Sequence, residues 1–439
     1  MLKAGFARLD VTPPLGTGLA GYWSPRYAKG VLDPLSLNAI AISDGNETVI
    51  LITFDALGMR EMFCNDIREM IEQATGVPED HVILSCLHQH TSVVLRPKGG
   101  TCALMDETYK SVLFRKFADV AKMAVDDLAD ATLYISEKQA LRPLSFVRRY
   151  IMKDGRVKTN PSNPCEDIVS PAEDSDNTVR LLRFVREGKK DIALVNFCTH
   201  PDVIGGHRIS ADWPGFVRRF VEEEHKDTHC ILVNGFQGDV NHINFQVPKE
   251  ERFPGGKGYD HSRYMGRVIT DTANLIWDEG VEQKNIKVSA GMDIVFNLTR
   301  TDGAEDYFVC KPIYDEFMKT FKIPEDAAIK DLAYLRRVVE MRTDGSIFRK
   351  LPVSVLSIGD TVFVGLGGEP FTHYATAIRE QVPQRVISVT CANGFEGYLP
   401  TAKAFEQGGY EPTASAFTPT LEDECVSSAV ALIKKLTGV

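Results

Sequence analysis

Several apolar runs of this chain end on a residue able to bind a metal or carry a proton. The run through Phe54 ends at Asp55, the run through Leu87 leads into His88-Gln89-His90, and the run through Phe197 leads into Cys198-Thr199-His200. The run through Val233 continues as Asn234-Gly235-Phe236-Gln237-Gly238-Asp239, with His242 just beyond. The run through Leu366 reaches Glu369, and the run through Thr390 reaches Tyr398. If these runs are strands of an α/β sheet, ligands bind beyond their carboxyl ends. His88, His200 and Glu369 would then converge, with Tyr398 nearby. Two imidazoles and a carboxylate suit Zn²⁺ and leave a position open for water.

None of these residues is diagnostic alone. In His88-x-His90 one ring can ligate while the other serves as acid or base, because alternate residues share a face only if the strand continues. Glu369 and His373 stand four residues apart and would form a rival ligand pair on a helix. Asp55 suits a partner that orients a ligating histidine. Asp212 suits a helix cap. Gly235 and Gly238 suit a tight turn that brings backbone, with Gln237 and Asp239, close to a ligand. His242, His207 and His261 are alternative ligands; His81, His225 and His229 read as surface or strand-start residues. Gly16-x-Gly18-x-x-Gly21 matches a dinucleotide fingerprint but follows Thr12-Pro13-Pro14 instead of joining a strand to a helix, so it is set aside.

The elements that must position these residues follow from periodicity. Residues 37–43 and 48–54 read as strands around Asp44-Gly45-Asn46-Glu47. Residues 61–75 read as a helix with Phe63, Ile67, Met70, Ile71 and Ala74 at helical spacing and Gly76 as its stop. With a strand at 81–87 this forms a parallel crossover. Further strands are expected at 191–197, 229–233, 287–296, 353–358, 361–366 and 385–390. Helices are expected at 105–128, near 214, and at 259–277, 369–380 and 422–436. The stretches 92–104, 145–175 and 245–258 read as long loops. Interspersed helices and strands predict an α/β fold, a mixed β-sheet core with outer helices. No linker or repeat is visible, so residues 1–439 are expected to form one catalytic domain.

Composition excludes some functions. The chain has 439 residues and a net charge of -10, which argues against nucleic-acid and anionic-membrane partners. No apolar run is long enough to span a bilayer. Nine cysteines without a C-x-x-C pair, and no secretory signal, predict reduced thiols and a cytoplasmic location. The expected partner is a small-molecule substrate, and the sequence leaves a homo-oligomer open.

The opening Ala4-Gly5-Phe6-Ala7-Arg8-Leu9-Asp10-Val11-Thr12-Pro13-Pro14, then Ala20-Gly21-Tyr22 and Gly30-Val31-Leu32-Asp33-Pro34-Leu35, resembles the catalytic domain of neutral ceramidases. The order of later motifs agrees along nearly the whole chain. The resemblance implies a catalytic zinc held by His88, His200, Glu369 and Tyr398, the last in Gly397-Tyr398-Leu399-Pro400-Thr401. It implies a substrate-side role for His90, and for Arg148 (or Arg149, depending on register) beside the substrate carbonyl. It also implies that the immunoglobulin-like domain appended to those ceramidases is missing. Where that family carries an active-site serine, this chain is expected to have Gly235. The implied function is a zinc-dependent hydrolase of a small soluble amide or ester, an amide C–N bond before an ester. Metal-activated water would be the nucleophile and His90 the acid/base. The same residues would also serve a metal-dependent lyase or isomerase on a carbonyl substrate, or a non-catalytic binding protein.

Overall fold

Asp44-Gly45-Asn46-Glu47 closes the first hairpin of the core. Gly45 takes a φ of 97°, and the Asp44 carboxylate accepts from the backbone N–H of Asn46 and Glu47 at 2.8 and 2.9 Å. The hairpin pairs Ser36–Ser43 with Thr48–Phe54. The chain then enters the helix Glu61–Thr75, which buries Phe63, Cys64, Ile67 and Ile71 and stops at Gly76 with φ 75°. It returns as Val82–Cys86, parallel to Thr48–Phe54, completing the expected crossover. The computed structural model describes residues 1–95, 103–161, 167–252 and 255–438.

Two sheets form the core. The larger has nine strands, in the order Thr228–Asn234, Asp191–Phe197, Thr178–Arg186, Ala129–Gln139, Lys3–Asp10, Ser36–Ser43, Thr48–Phe54 and Val82–Cys86, with Val281–Glu282 paired to Ala129–Gln139. It is parallel at both ends and antiparallel between. The smaller runs Val288–Leu298, Phe348–Ile358, Thr361–Leu366, Arg385–Val389, and its last pair is also parallel. The sheets pack face to face, Ile40, Leu51 and Ile231 against Leu356, Phe363 and Ile387. Helices cover the outer faces. Glu61–Thr75 and Glu107–Asp126 lie on one half of the large sheet, and Asp212–Glu224 and Tyr259–Leu275 on the other. Thr372–Arg379 and Leu421–Thr437 cover the small sheet. The mixed-sheet α/β core with outer helices is therefore as expected.

Side-chain amides hold the strand ends together. The edge strands of the large sheet end beside one another, where Asn234 Nδ2 donates to the Leu87 carbonyl at 3.0 Å. Asn393, at φ 55°, joins the two sheets. Its Oδ1 accepts from Leu84 N at 2.9 Å, and its Nδ2 donates to Val82 O at 3.0 Å and Ser354 Oγ at 2.9 Å. Three parallel strand pairs thus direct their carboxyl ends to one place.

The structure departs from the sequence reading in several elements. Lys3–Asp10, Ala129–Gln139 and Thr178–Arg186 are strands with polar residues interleaved, so no continuous apolar run marks them. The expected loop 145–175 contains the strands Arg149–Met152, Val157–Thr159 and Ile168–Pro171, which pair as a small sheet. Of the other two expected loops, 96–102 and 253–254 lie outside the described residues. The helices Tyr307–Thr320 and Leu332–Asp344 were not anticipated; they share a core of Cys310, Tyr314 and Phe317 with Leu335, Val338 and Val339. The helix expected at 369–380 begins only at Thr372, because Glu369–Pro370 pairs with Tyr398–Leu399.

Among the described residues, no helix is long and apolar enough to cross a membrane. Seven cysteines among them are free and buried. Asn393→Ala removes a buried two-way link and leaves the Leu84 N–H and Val82 carbonyl unpaired. Urea unfolding is expected to show a loss of about 2–4 kcal/mol at unchanged m-value.

Candidate metal centre

Each strand end delivers one side chain. His88 follows Val82–Cys86, His200 follows Asp191–Phe197, and Glu369 follows Thr361–Leu366. Tyr398 sits opposite Glu369 in the register of the short parallel pair. His88 holds a φ of 78°, a conformation that L side chains seldom adopt and that surrounding contacts must enforce. Its Nδ1 meets the Leu57 carbonyl at 2.7 Å. His200 Nδ1 meets the Gln237 carbonyl at 3.1 Å. A carbonyl only accepts, so each Nδ1 carries the proton and each Nε2 presents a lone pair.

Both lone pairs face one carboxylate oxygen. Glu369 Oε2 lies 3.3 Å from His88 Nε2 and 3.6 Å from His200 Nε2, and all three side chains are buried. Three acceptors crowded in a dry interior repel unless positive charge lies among them. Burial, followed by the charges of Arg148 and the neighbouring histidines, pushes His200 well below the usual imidazole range, so a second proton there is disfavoured. His200 Nε2 and Glu369 Oε2 have no hydrogen-bond partner. The donor set therefore fits a divalent cation. His88, His90 and His200 also bring one ring nitrogen each within 4.8 Å of one another, so His90 borders the same point.

The residues around the centre divide by what they touch. His90 Nδ1 lies 3.6 Å from Asp202 Oδ1, and Tyr22 donates its hydroxyl hydrogen to that carboxylate. Burial holds His90 down to about 4, with Asp202 opposing, so its ring is neutral near pH 7. Arg26 Nη2 holds the His90 carbonyl at 2.6 Å. Gly21 backs the ring: a Cβ there would come within 2.7 Å of His90 Nδ1. The last glycine of the discarded fingerprint thus makes room for the His90 ring.

Arg148 is drawn away from the open cavity. Its Nε donates to Glu411 Oε1 at 2.8 Å and its Nη2 to the Gly238 carbonyl at 2.8 Å. Its guanidinium carbon stands 5.2 Å from the centroid of the Tyr398 ring. It therefore acts on the tyrosine. Arg149, the register alternative, is tied to Gly408 O, Gln407 and the same Glu411. Burial drives the Tyr398 hydroxyl far above the usual tyrosine range, and Arg148 is the charge that opposes it.

Other expected site residues have structural tasks. Asp55 accepts from Ser36 N, Gln89 Nε2 and Arg218 Nη2, so it orders the His88–His90 segment through Gln89 and touches neither imidazole. Asp212 is the first residue of its helix and not its cap; its carboxylate binds Val203 N, Ile204 N, Trp213 N and Ser262 Oγ. Asp239 caps the Thr372–Arg379 helix from another part of the chain, accepting from Thr372 N at 2.8 Å. Gln237 keeps both side-chain amide atoms buried and without a hydrogen-bond partner, beside the carbonyl that holds His200.

Gly235 does not face the cavity. A Cβ on it would stand 2.0 Å from Cys198 Sγ and 2.8 Å from Ser388 Oγ, so no hydroxyl-bearing residue fits there. The rival pair Glu369/His373 is not formed, since His373 is half-exposed and lies 3.5 Å from Glu422. His242 is buried near His261, ring centroids 5.7 Å apart, whereas His207 is exposed. His225 stacks on Trp277 and His229 on Phe6.

His88, His90, Glu369 and Tyr398 open onto a cavity of about 480 Å³. Its walls include Tyr22, Trp23, Leu57, Phe395 and Tyr410, and the Leu332–Asp344 helix forms the far side. Asp202, Tyr410, Glu411 and that helix were missed by sequence reasoning. The only local signal was Asp202 two residues after His200.

No family model and no curated protein matches the chain. Solved structures do. The neutral ceramidase from Pseudomonas aeruginosa matches at 15% identity with a TM-score of 0.72, over 99% of this chain and 75% of that one. A structure described as ceramidase complexed with C2 matches at 16% identity with a TM-score of 0.73, over 99% of this chain and 76% of that one. The protein thus has the neutral ceramidase fold.

The packing at Gly235 gives a test. Gly235→Ser is expected to lower unfolding free energy by about 1–3 kcal/mol, as overpacking does, and Cys198→Ala in the same chain should restore part of it. A stability-neutral serine would place Gly235 on the cavity.

Proposed function

We propose that this protein is a zinc-dependent hydrolase of a small amide or ester, with amides favoured, acting in a reducing cytoplasm as one catalytic unit. The observation that carries the reading is the meeting of two imidazole lone pairs and a carboxylate oxygen in a buried site that opens on a cavity. The solved structures with this fold are ceramidases, which supports hydrolysis as the reaction class. The ligands would be His88, His200, Glu369 and Tyr398. When bound, zinc supplies a Lewis acid that lowers the pKa of a coordinated water to about 7 and polarises a carbonyl.

The chain's own residues supply the rest. His90 is neutral and borders the metal point, so its ring can take a proton and return it to the leaving group. Asp202, fixed by Tyr22, stands behind Nδ1 and stabilises the imidazolium that forms. Arg148 favours the anionic form of Tyr398, which a metal ligand requires. Gln237 keeps two unpaired amide atoms beside the carbonyl that holds His200. The scheme uses no serine. The cavity volume suits a small molecule.

Purified protein is expected to hold about one zinc per chain by elemental analysis, and His88→Ala and His200→Ala are each expected to lose it. Hydrolysis in an amide and ester screen should vanish on chelation and fall about 10²–10⁴-fold in His90→Ala. A trapped acyl-enzyme on serine or cysteine would contradict the scheme.

A further inference from the structure

The far wall of the cavity is charged in a way the metal centre does not explain. The Leu332–Asp344 helix turns Ala333, Arg336, Arg337, Glu340, Met341 and Asp344 toward the cavity, at spacings of three and four residues. Its opposite face, Leu335, Val338 and Val339, is spent on packing against Tyr307–Thr320. Arg60 and Arg349 complete the wall. In a chain of net charge -10, this end of the cavity carries, among the described residues, four arginines against the three carboxylates Glu340, Asp344 and Glu396.

Three of those arginines are committed through their terminal nitrogens. Arg60 Nη1 is bound to Glu396 at 3.1 Å, Arg349 Nη1 to Asp344 at 2.6 Å, and Arg337 Nη2 to Asp302 at 3.2 Å. Arg336 differs. Its ion pair runs through Nε, 3.0 Å from Glu340 Oε1 on its own helix, and its side chain is 23% exposed. No hydrogen bond among the described residues engages its Nη1–Nη2 edge. The guanidinium is steadied by the Trp23 ring, 5.5 Å from its centroid. Tyr410 lies between the two ends of the cavity, feeling Arg336 on one side and Arg148 and Glu369 on the other.

A guanidinium edge left open in a partly desolvated cavity is a carboxylate site, because two parallel N–H donors match two carboxylate oxygens. We propose that Arg336 anchors a carboxylate on the substrate, which makes the substrate class a small N-acyl amino acid or similar amide with one negative charge and an apolar or aromatic body. This rests on the hydrolase reading, with the metal centre at one end of the molecule and Arg336 at the other. Trp23, Tyr22 and Phe395 line the space between.

The test is calorimetric binding of N-acetylphenylalanine and N-acetylleucine, each against its own carboxamide, to the zinc-loaded wild type and to Arg336→Gln and Arg336→Lys. Zinc content is measured on every sample. At least one carboxylate should bind about tenfold or more tightly than its carboxamide. Arg336→Gln should remove that preference without changing zinc content or carboxamide affinity, and Arg336→Lys should keep part of it. Equal affinity within both pairs, no binding by either pair, or a preference that survives Arg336→Gln would overturn the proposal. The last result would place the carboxylate on the metal. Absence of zinc would instead overturn the hydrolase reading, and the effect of Arg336→Gln on binding is read separately from it.

Discussion

The site is organised by one electrostatic constraint: Glu369 Oε2 and the two Nε2 lone pairs of His88 and His200 cannot share a buried space by themselves. Each Nδ1 is already committed to a carbonyl, so neither ring can turn a proton toward Glu369 without gaining a charge. Burial opposes that charge on His200. Burial raises the Glu369 carboxyl, but neighbouring positive charge, that of Arg148 included, outweighs it and holds the group below the usual carboxylate range. A cation among the three atoms relieves every term together.

The fold exists in a form that can impose this crowding. Parallel strand pairs occur at both ends of the large sheet and at the end of the small one, and each sends one of the three converging side chains from its carboxyl end. Asn234 fastens the two edges of the large sheet, and Asn393 fastens the sheets to each other. The left-handed backbone at His88 and the missing Cβ at Gly21 are local costs that place two rings within reach of one point. Glu411, fully buried between Arg148 and Arg149, fixes the guanidinium that reaches Tyr398. Removing that carboxylate alone would strand two buried cations.

The converging side chains were legible because they follow apolar runs, and such runs mark the interior parallel strands of an α/β protein. His88, His200 and Glu369 are assembled as the strand-end argument expects. What was not legible depends on contacts distant in sequence. Asp239 read as a turn residue close to a ligand and Asp212 as a helix cap, but both bind backbone N–H groups of remote segments. Gly235 read as a turn that brings backbone close to a ligand, and only the third dimension reveals Cys198 against it. The Leu332–Asp344 helix divides its faces between a small helical core and the cavity, a division that only the packed hairpin exposes.

Anomalous scattering at the zinc edge from crystals of the protein reads the occupancy of this point. One strong peak is expected at bonding distance, about 2.0–2.2 Å, from His88 Nε2, His200 Nε2 and a Glu369 carboxylate oxygen. A site with no peak from any metal, in which those three atoms meet through protons or water alone, would contradict it.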